Sequence, residues 1–382
     1  MVKTWASWFT HHLLFLALAC GKEDPRPNVP DAAPDAAMAD SGQPDATEKS
    51  CPPPFVEDVS TCQPLSTDYR PRDNASAADD WPACVSDDNT YHPVDPSIST
   101  VARIAGFEKI AKDLWENNKV PSPGDFLTAR TTYAEPEGLD SRVVRRVDIH
   151  YPAPSGADAG KKCSDSGIPE KYPEYCVGPA QLLPILNDAF SKGQSGETPR
   201  VHAARIEAAL LWFLYASALS EATSCADKPK DCDSAWAYYT GGTARNQPSG
   251  LSRYVRALGV ETHDRAYDAT LAVRCWRDLD QAVPAAKTDL QLRARAQLDV
   301  ATLRGVALIT RQRFAALECS TGEARDAHFA FLKVIVPLLD RAARERDATK
   351  AGSLQAQVQA SSASEVQVGV AVSALDALFP CP

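Results

Sequence analysis

Residues 199–225, PRVHAARIEAALLWFLYASALSEATSC, decide the fold of this 382-residue chain. The centre of the stretch, AALLWFLY at residues 208–215, is apolar on nearly every side when it is placed on a helix. A helix that is apolar all round is buried on most of its faces. The stretch therefore predicts a core helix at about 199–225, enclosed by the other elements of its domain.

Further helical segments follow this core helix toward the C-terminus. Pro284, Gly322 and Gly352 separate the longest of them, and proline and glycine end or interrupt helices. Because the connections are short, neighbouring helices should run antiparallel. The predicted fold class is all-α, an up-and-down helical bundle over residues 179–382. Its helices after the core helix are expected at about 232–240, 249–258, 261–283, 287–319, 323–347 and 353–378.

The segment in front of the bundle, residues 51–178, is rich in Pro, Asp and Ser and predicts little regular structure. One helix is expected at 98–117, where it ends before a proline. Val143, Val147 and Ile149 could lie on a short strand or hairpin arm. We therefore expect an irregular, disulfide-pinned N-terminal extension that packs on the bundle.

The first fifty residues have the pattern of an export signal followed by a tether. An apolar run at residues 13–19 is too short to span a bilayer, so residues 1–19 are predicted to be a signal peptide. The ending ALAC resembles the bacterial lipoprotein box, in which the cysteine, here Cys20, is lipidated. Residues 20–50 are an Asp/Ala/Pro tract that buries too little apolar surface to fold. The prediction is an extracytoplasmic lipoprotein on the periplasmic face or the cell surface, with simple secretion as the alternative.

The charge of the chain bears on its partners. The sequence has 50 acidic and 40 basic residues, a formal net charge of −10. Nucleic acids attract basic proteins, so a nucleic-acid partner is not expected. The partners that we expect are the lipid bilayer, reached through the acyl anchor, and a transport protein of the envelope.

The eleven cysteines predict disulfides. If Cys20 carries lipid, ten remain, and an even number in an exported chain favours disulfides over thiols or a metal. Cys275 should find its partner in the N-terminal half, because an antiparallel layout places Cys319 too far away. The partners of Cys51, Cys62 and Cys84 stay open. The predicted pairs are Cys163–Cys176, Cys225–Cys232 and Cys319–Cys381.

Carboxylates on the core helix are the first candidates for chemistry. Glu207 and Glu221 lie on this apolar helix together with Arg205. A carboxylate in such a helix needs a partner or a metal ion, because an isolated buried charge is costly. The alternative for Glu207 is an ion pair with an arginine of a neighbouring helix.

Two tyrosines form the second candidate group. The stretch SAWAYYTGG at residues 234–242 contains Tyr238 and Tyr239. Oxygen ligands suit hard cations, so two phenols near carboxylates could bind ferric iron. Aromatic packing in the core is the alternative.

The third group is ETHDRAYD at residues 261–268. Asp264 and Asp268 share one face of the predicted helix, and His263 lies beside them. Acidic residues also stabilise the N-terminus of a helix, which explains Asp264 well and Asp268 poorly. The stretch therefore allows either a metal site or helix capping.

Two of these stretches carry a resemblance to a known family. RIEAALLW at residues 205–212, followed by DSAWAYYTG at 233–241, resembles the algal iron-assimilation proteins. These include high-CO₂-inducible periplasmic proteins and phytotransferrin domains, which are related in fold to imelysin-like proteins. The resemblance covers about residues 180–285 and implies a helical, extracytoplasmic domain that binds ferric iron, Fe(III), with a carbonate anion. The imelysin GxHxxE motif is absent from this sequence.

The sequence therefore predicts a membrane-tethered lipoprotein that binds a metal ion, most simply ferric iron, for uptake, and not an enzyme. The alternative is a structural or protein-interaction lipoprotein of the envelope, in which Glu207 and Asp268 contact basic side chains. Arg205 is the predicted anion-binding residue of the metal site. Its predicted metal ligands are Glu207, Glu221, Tyr238, Tyr239, His263, Asp264 and Asp268.

Overall fold

A computed structural model describes residues 55, 57, 62, 64–71, 79–136 and 138–381. The predicted signal peptide, the lipidation site at Cys20, the tether and Cys51 lie outside the described residues. All of the described residues belong to one unit, residues 48–382.

The described part of the chain is all-α, as predicted, and contains no strand. The observed helices match the predicted core helix and its successors to within a few residues at most ends. The α-helices are α1 (Thr100–Leu114), α2 (Pro123–Ala134), α3 (Asp140–Val143), α4 (Ile168–Lys171), α5 (Leu183–Gln194), α6 (Pro199–Ser224), α7 (Asp231–Thr240), α8 (Leu251–Leu258), α9 (Val260–Leu279), α10 (Thr288–Cys319), α11 (Gly322–Arg346), α12 (Ala348–Val358) and α13 (Val368–Leu378).

Helix α6 is the centre of the bundle. It begins at Pro199, whose fixed φ suits the first turn of a helix. Leu210, Leu211, Phe213 and Leu214 are all completely buried, so its apolar surface is covered on every side. Helices α5, α7, α10 and α11 provide that cover. Consecutive helices also pack on each other from α9 to α13, which gives the predicted up-and-down arrangement.

The segment before the bundle is more helical than predicted and shares its core. Tyr69, Trp81 and Phe107 are buried in the same hydrophobic cluster as α6. Helix α2 was not predicted, although it has a clear start: the Ser122 hydroxyl accepts from the Asp125 N–H, and the Asp125 carboxylate accepts from the Ser122 N–H at 2.8 Å. The described residues of 51–178 therefore share one hydrophobic core with residues 179–382.

The short strand expected near Val143 is absent, and that expectation was wrong. Val143 ends the one-turn helix α3, and the Arg146 N–H donates to the Val143 carbonyl at 3.1 Å, as in a turn. Val147 then packs on the small cluster around Cys163 and Cys176, while Ile149 packs on the main core. Apolar residues that face two different clusters cannot lie on one side of a strand.

The predicted helix at 353–378 is two helices, α12 and α13. Between them, the Ser361 N–H and hydroxyl donate to the Glu365 carboxylate at 3.1 and 2.8 Å. Serine side chains that bond to nearby groups in this way compete with helical hydrogen bonds. The chain therefore turns once more than the sequence pattern suggested.

This extra turn explains the one disulfide that was predicted wrongly. Cys381 is bonded to Cys62, with Cα atoms 4.8 Å apart, and not to Cys319. Cys319 is disulfide-bonded as well, but not to Cys381. The other predictions are confirmed by the disulfides Cys163–Cys176, Cys225–Cys232 and Cys84–Cys275.

Candidate functional site

The predicted metal ligands lie in three separate regions of the described structure. Glu207 and Glu221 are fourteen positions apart on α6, which is about 21 Å along a straight helix. Two carboxylates at that distance cannot bind the same ion. Tyr238 lies near Glu221, whereas Tyr239, His263, Asp264 and Asp268 lie around the start of α9.

Glu207 is held by a basic side chain, as the alternative reading of the sequence predicted. It is 2% exposed, and Nη2 of Arg313 on α10 donates to its Oε1 atom at 2.6 Å. Burial raises the pKa of Glu207, and the charge of Arg313 works in the opposite direction. Glu207 therefore belongs to a buried ion pair between α6 and α10.

His263 and Tyr239 are bonded to each other and to the backbone. Tyr239 Oη lies 3.1 Å from His263 Nδ1, and His263 Nε2 lies 2.9 Å from the Arg245 carbonyl. Burial lowers the pKa of His263 and raises that of Tyr239, so both side chains stay neutral. Both ring nitrogens of His263 already have a partner, which leaves none for a metal.

Arg245 occupies the position that a metal ion would have to take in order to bind both Asp264 and Asp268. Its guanidinium is paired with Asp268 and lies 3.5 Å from the Asp264 carboxylate. It also lies 4.5 Å from the centre of the Tyr267 ring. Burial raises the pKa of Asp268 to about 6 against the opposing charge of Arg245. As arranged, these donors do not fit a bound cation.

Arg205, the predicted anion-binding residue, is occupied as well. Its Nη1 atom lies 2.5 Å from the Asp188 carboxylate and 3.3 Å from His202 Nδ1. Asp188 is on α5, so this pair joins α5 to α6. The structure therefore brings Arg205 to an acid and a histidine, and not to the predicted iron ligands.

One other group has metal-ligand geometry among the described residues. It consists of Glu57, Cys62 and Cys381. The two cysteines are bonded to each other, so neither offers a thiolate, which is the form of cysteine that binds metals. Glu57 is also engaged, because it accepts hydrogen bonds from Thr262 and Arg304.

Glu221 and Tyr238 line a large polar cavity. Its volume is about 600 Å³, within the range of small-molecule sites. The walls come from the segment that leads into α1 and the start of α1, from α3, from the C-terminal end of α6, from the 225–232 loop and from α7. We call it the polar cavity.

Basic side chains outnumber acidic ones around the polar cavity. Its basic residues are Arg103, Arg142, Lys228 and Lys230, and its acidic residues are Asp95, Glu221 and Asp231. One of these acids is neutralised, because both Nη atoms of buried Arg146 lie 3.1 Å from the Glu221 carboxylate. The side chains that line the cavity thus include more bases than acids, although the whole protein is acidic.

Tyr238 lies at the inner end of the polar cavity. It is 1% exposed, with its ring edge-on to Phe213 and 5.3 Å from the guanidinium carbon of Arg146. Burial raises the pKa of Tyr238, while Arg146 and two further arginines work against that rise. The phenol is therefore protonated at neutral pH and can donate a hydrogen bond.

Several contacts hold the walls in place. Arg103 donates to the hydroxyls of Ser99 and Thr100 at 3.0 and 3.2 Å. Thr100 in turn donates to Ser234, which ties the start of α1 to α7. The Cys225–Cys232 disulfide closes the loop that carries the two lysines. The basic residues are thus supported by covalent and hydrogen-bonded structure.

Glu221 and Tyr238 were among the residues predicted from the sequence to carry chemistry, whereas the basic residues of this cavity were not. The available signal is the Lys-Pro-Lys stretch at 228–230, which lies between two bonded cysteines. Arg103 and Arg142 gave no local signal, because they come from distant segments.

Neither a family model, nor a curated protein, nor a solved structure matches this chain. The resemblance to algal iron-assimilation proteins therefore stays a prediction. Within the described residues, no helix combines the length and the apolar character that a membrane span needs.

Proposed function

We propose that this protein is an extracytoplasmic, membrane-tethered binding protein that captures a small hydrophilic organic anion in the polar cavity. The observation that carries the proposal is the surplus of basic side chains around a cavity of about 600 Å³. The tether is the prediction made from the first fifty residues.

The arrangement of the charges supports an anionic ligand. Lys228 and Lys230 are exposed at the mouth, where they would attract an anion from solution. Neither lysine has a carboxylate within 4.0 Å among the described residues, so both are available to a ligand. Arg103 is 3% exposed and lies deeper, where a charge-assisted hydrogen bond is shielded from water.

The remaining groups favour a ligand that carries hydroxyls as well as acid groups. Serine, threonine and tyrosine hydroxyls line the cavity, together with the three carboxylates. An apolar ligand would leave these polar groups without water or partners, at a cost in free energy. Sugar acids, hydroxy acids and phosphate esters have the required chemistry.

A thermal-shift experiment tests the proposal. A ligand that binds only the folded state raises the melting temperature. We expect glucuronate, citrate or glucose 6-phosphate to raise it, and uncharged glucose not to. The double variant Lys228→Gln/Lys230→Gln should lose the shift, whereas the matched double variant Lys161→Gln/Lys162→Gln on another exposed loop should keep it. Equal shifts in the two double variants would contradict the proposal.

The same experiment also tests the predicted function in ferric iron uptake. Ferric citrate is a hydrophilic anion, so it can be compared directly with iron-free citrate. A phenolate band in the visible spectrum that disappears in Tyr238→Phe would support a tyrosinate iron site. Stabilisation by iron-free anions without such a band supports the anion proposal.

The alternative, a structural or protein-interaction lipoprotein, predicts that Glu207 and Asp268 contact basic side chains. The ion pairs of these two residues support that alternative. It is the conclusion to adopt if no hydrophilic anion stabilises the folded protein. The polar cavity would then be a solvated cleft between helices.

A further inference from the structure

Two adjoining cavities lie near the N-terminal half of α6, separate from the polar cavity. One is a small polar chamber of about 80 Å³, lined by Arg200, Glu207 and Asn118 among others. The other is a mainly apolar cavity of about 270 Å³. Arg313 and His328 line both, so the two cavities adjoin across these side chains.

The small chamber carries one guanidinium, that of Arg200, that no carboxylate of the described residues contacts; the Glu323 carboxylate accepts from the Arg200 backbone N–H at 2.9 Å instead. Glu207 is paired with Arg313, and Lys119 with Asp125 at 2.8 Å. The guanidinium of Arg200 has no carboxylate within 4.0 Å among the described residues. Its side-chain contact is the Asn118 Oδ1 atom at 3.4 Å. A single acidic group would supply the missing partner, and the small volume admits nothing much larger than a carboxylate.

The adjoining cavity suits the other end of such a ligand. Tyr254, Leu258 and Ile309 line it, with Ala257 and Ala316 leaving space between them. Burying hydrocarbon there would stabilise a complex, because apolar surface is removed from water. The ligand would therefore have an acid at one end and an apolar body at the other.

We propose that these adjoining cavities form a second binding site, for a monocarboxylate with an apolar body, which Arg200 and Arg313 hold by its acid group. This proposal does not depend on the function proposed for the polar cavity. The two sites share no lining residue, and their ligands differ in polarity.

His328 offers a readout at the junction of the two cavities. Burial and the neighbouring Arg313 and Arg200 lower the pKa of His328 to about 4. A bound carboxylate would offset the arginine charges and raise this pKa. Titration of the His328 imidazole by NMR, with and without ligand, detects that change.

Calorimetric titration of the purified, disulfide-bonded chain with octanoate tests the proposal. We expect octanoate to bind, and octan-1-ol, which lacks the charge, to bind at least about tenfold more weakly. Arg200→Gln should weaken octanoate binding by a similar factor, because it removes the unbalanced charge. Ala316→Phe should weaken it by filling the apolar cavity, without any change of charge.

Arg344→Gln is the matched control, because Arg344 is exposed near the far end of α11 and is paired with Asp340. It should bind octanoate as the unaltered protein does. No octanoate binding at millimolar concentration, or binding by Arg200→Gln and Ala316→Phe that is as tight as binding by the unaltered protein, would overturn the proposal. Arg142→Gln, which alters only the polar cavity, should leave octanoate binding unchanged, so the two proposals can fail independently.

Discussion

Arg146 holds the carboxylate of Glu221 with both of its Nη atoms at 3.1 Å. This contact joins the loop after α3 to the C-terminal end of α6. Because it neutralises one acid of the polar cavity, it leaves the cavity with more positive than negative charge. The contact also separates the anion proposal from the iron prediction, since Glu221 opposes an anion but would favour a cation.

The first prediction follows from this opposition. Glu221→Gln removes a negative charge from the polar cavity and releases Arg146, so affinity for glucuronate or citrate should rise severalfold. Ferric iron bound by Glu221 would instead be held more weakly. Calorimetric titration measures both effects, and Glu318→Gln, an exposed acid on α10, controls for the change in net charge. Weaker binding of the organic anion by Glu221→Gln would contradict the account.

The second prediction concerns the buried pair of Glu207 and Arg313. Arg313→Ala leaves the Glu207 carboxylate buried without its charged partner, which should lower the free energy of unfolding by about 3–5 kcal/mol. Urea unfolding followed by circular dichroism measures the loss. Arg344→Ala, which removes an exposed pair, should cost about 1 kcal/mol or less. If the two variants are equally stable, Glu207 is not a core ion pair.

The third prediction concerns pH and His150. Its imidazole lies between two carboxylates, 2.7 Å from Asp148 and 2.9 Å from Asp299. Burial disfavours the imidazolium, but these two contacts outweigh it and raise the pKa of His150 to about 9 from an ordinary value of 6.5. The folded state therefore binds the proton more tightly than the unfolded state does.

The pKa of His150 is higher in the folded than in the unfolded state. Its contribution to the stability of the folded protein is therefore complete below the ordinary pKa of 6.5 and is lost as the pH rises through about 9. At neutral pH, His150→Gln should lower the free energy of unfolding by about 2 kcal/mol. The difference from the unaltered protein should shrink by pH 10, as urea unfolding at several pH values can show. A difference that does not change with pH would show that His150 is neutral in the folded protein.

The fourth prediction compares two disulfides that close loops of very different length. Cys84–Cys275 spans 191 residues and Cys225–Cys232 spans 7. Loop-closure entropy predicts a loss of about 5 kcal/mol for Cys84→Ser/Cys275→Ser and about 2 kcal/mol for Cys225→Ser/Cys232→Ser. Urea unfolding tests this order.

Anion binding should show the opposite order in these double variants. The short loop carries Lys228 and Lys230, so removing its disulfide frees both lysines to move. Cys225→Ser/Cys232→Ser should therefore lose more affinity for the anion, although it loses less stability. The same order in both measurements would mean that the lysine loop does not take part in binding.

The fold was largely predictable from sequence because its dominant signal is local. The all-round apolar character of residues 208–215 requires a buried helix wherever the chain goes next. Glycine and proline then mark most helix ends. The break between α12 and α13 escaped prediction, because the contacts of Ser361 with Glu365 have no strong sequence signature. Because of that turn, Cys381 lies next to Cys62 and not next to Cys319, its predicted partner.

The candidate site was only partly predictable because it is assembled over long distances. Glu221 and Tyr238 could be singled out from the sequence, because they are polar residues in largely apolar stretches. Arg103, Arg142 and Lys230 meet them only through tertiary packing, which helical periodicity cannot reveal. The predicted iron ligands do not lie together in one site. Glu207 and Asp268 are instead paired with arginines from other segments, Arg313 and Arg245 respectively.

Anion binding in the polar cavity is tested most directly by the dissociation constant of the best-binding hydrophilic anion, measured by calorimetry for Arg142→Gln and Arg145→Gln. Arg142 lines the polar cavity, whereas Arg145, three residues further on, is exposed outside its lining. We expect Arg142→Gln to weaken binding by about tenfold or more and Arg145→Gln to bind like the unaltered protein. Equal dissociation constants for the two variants would contradict anion binding in the polar cavity.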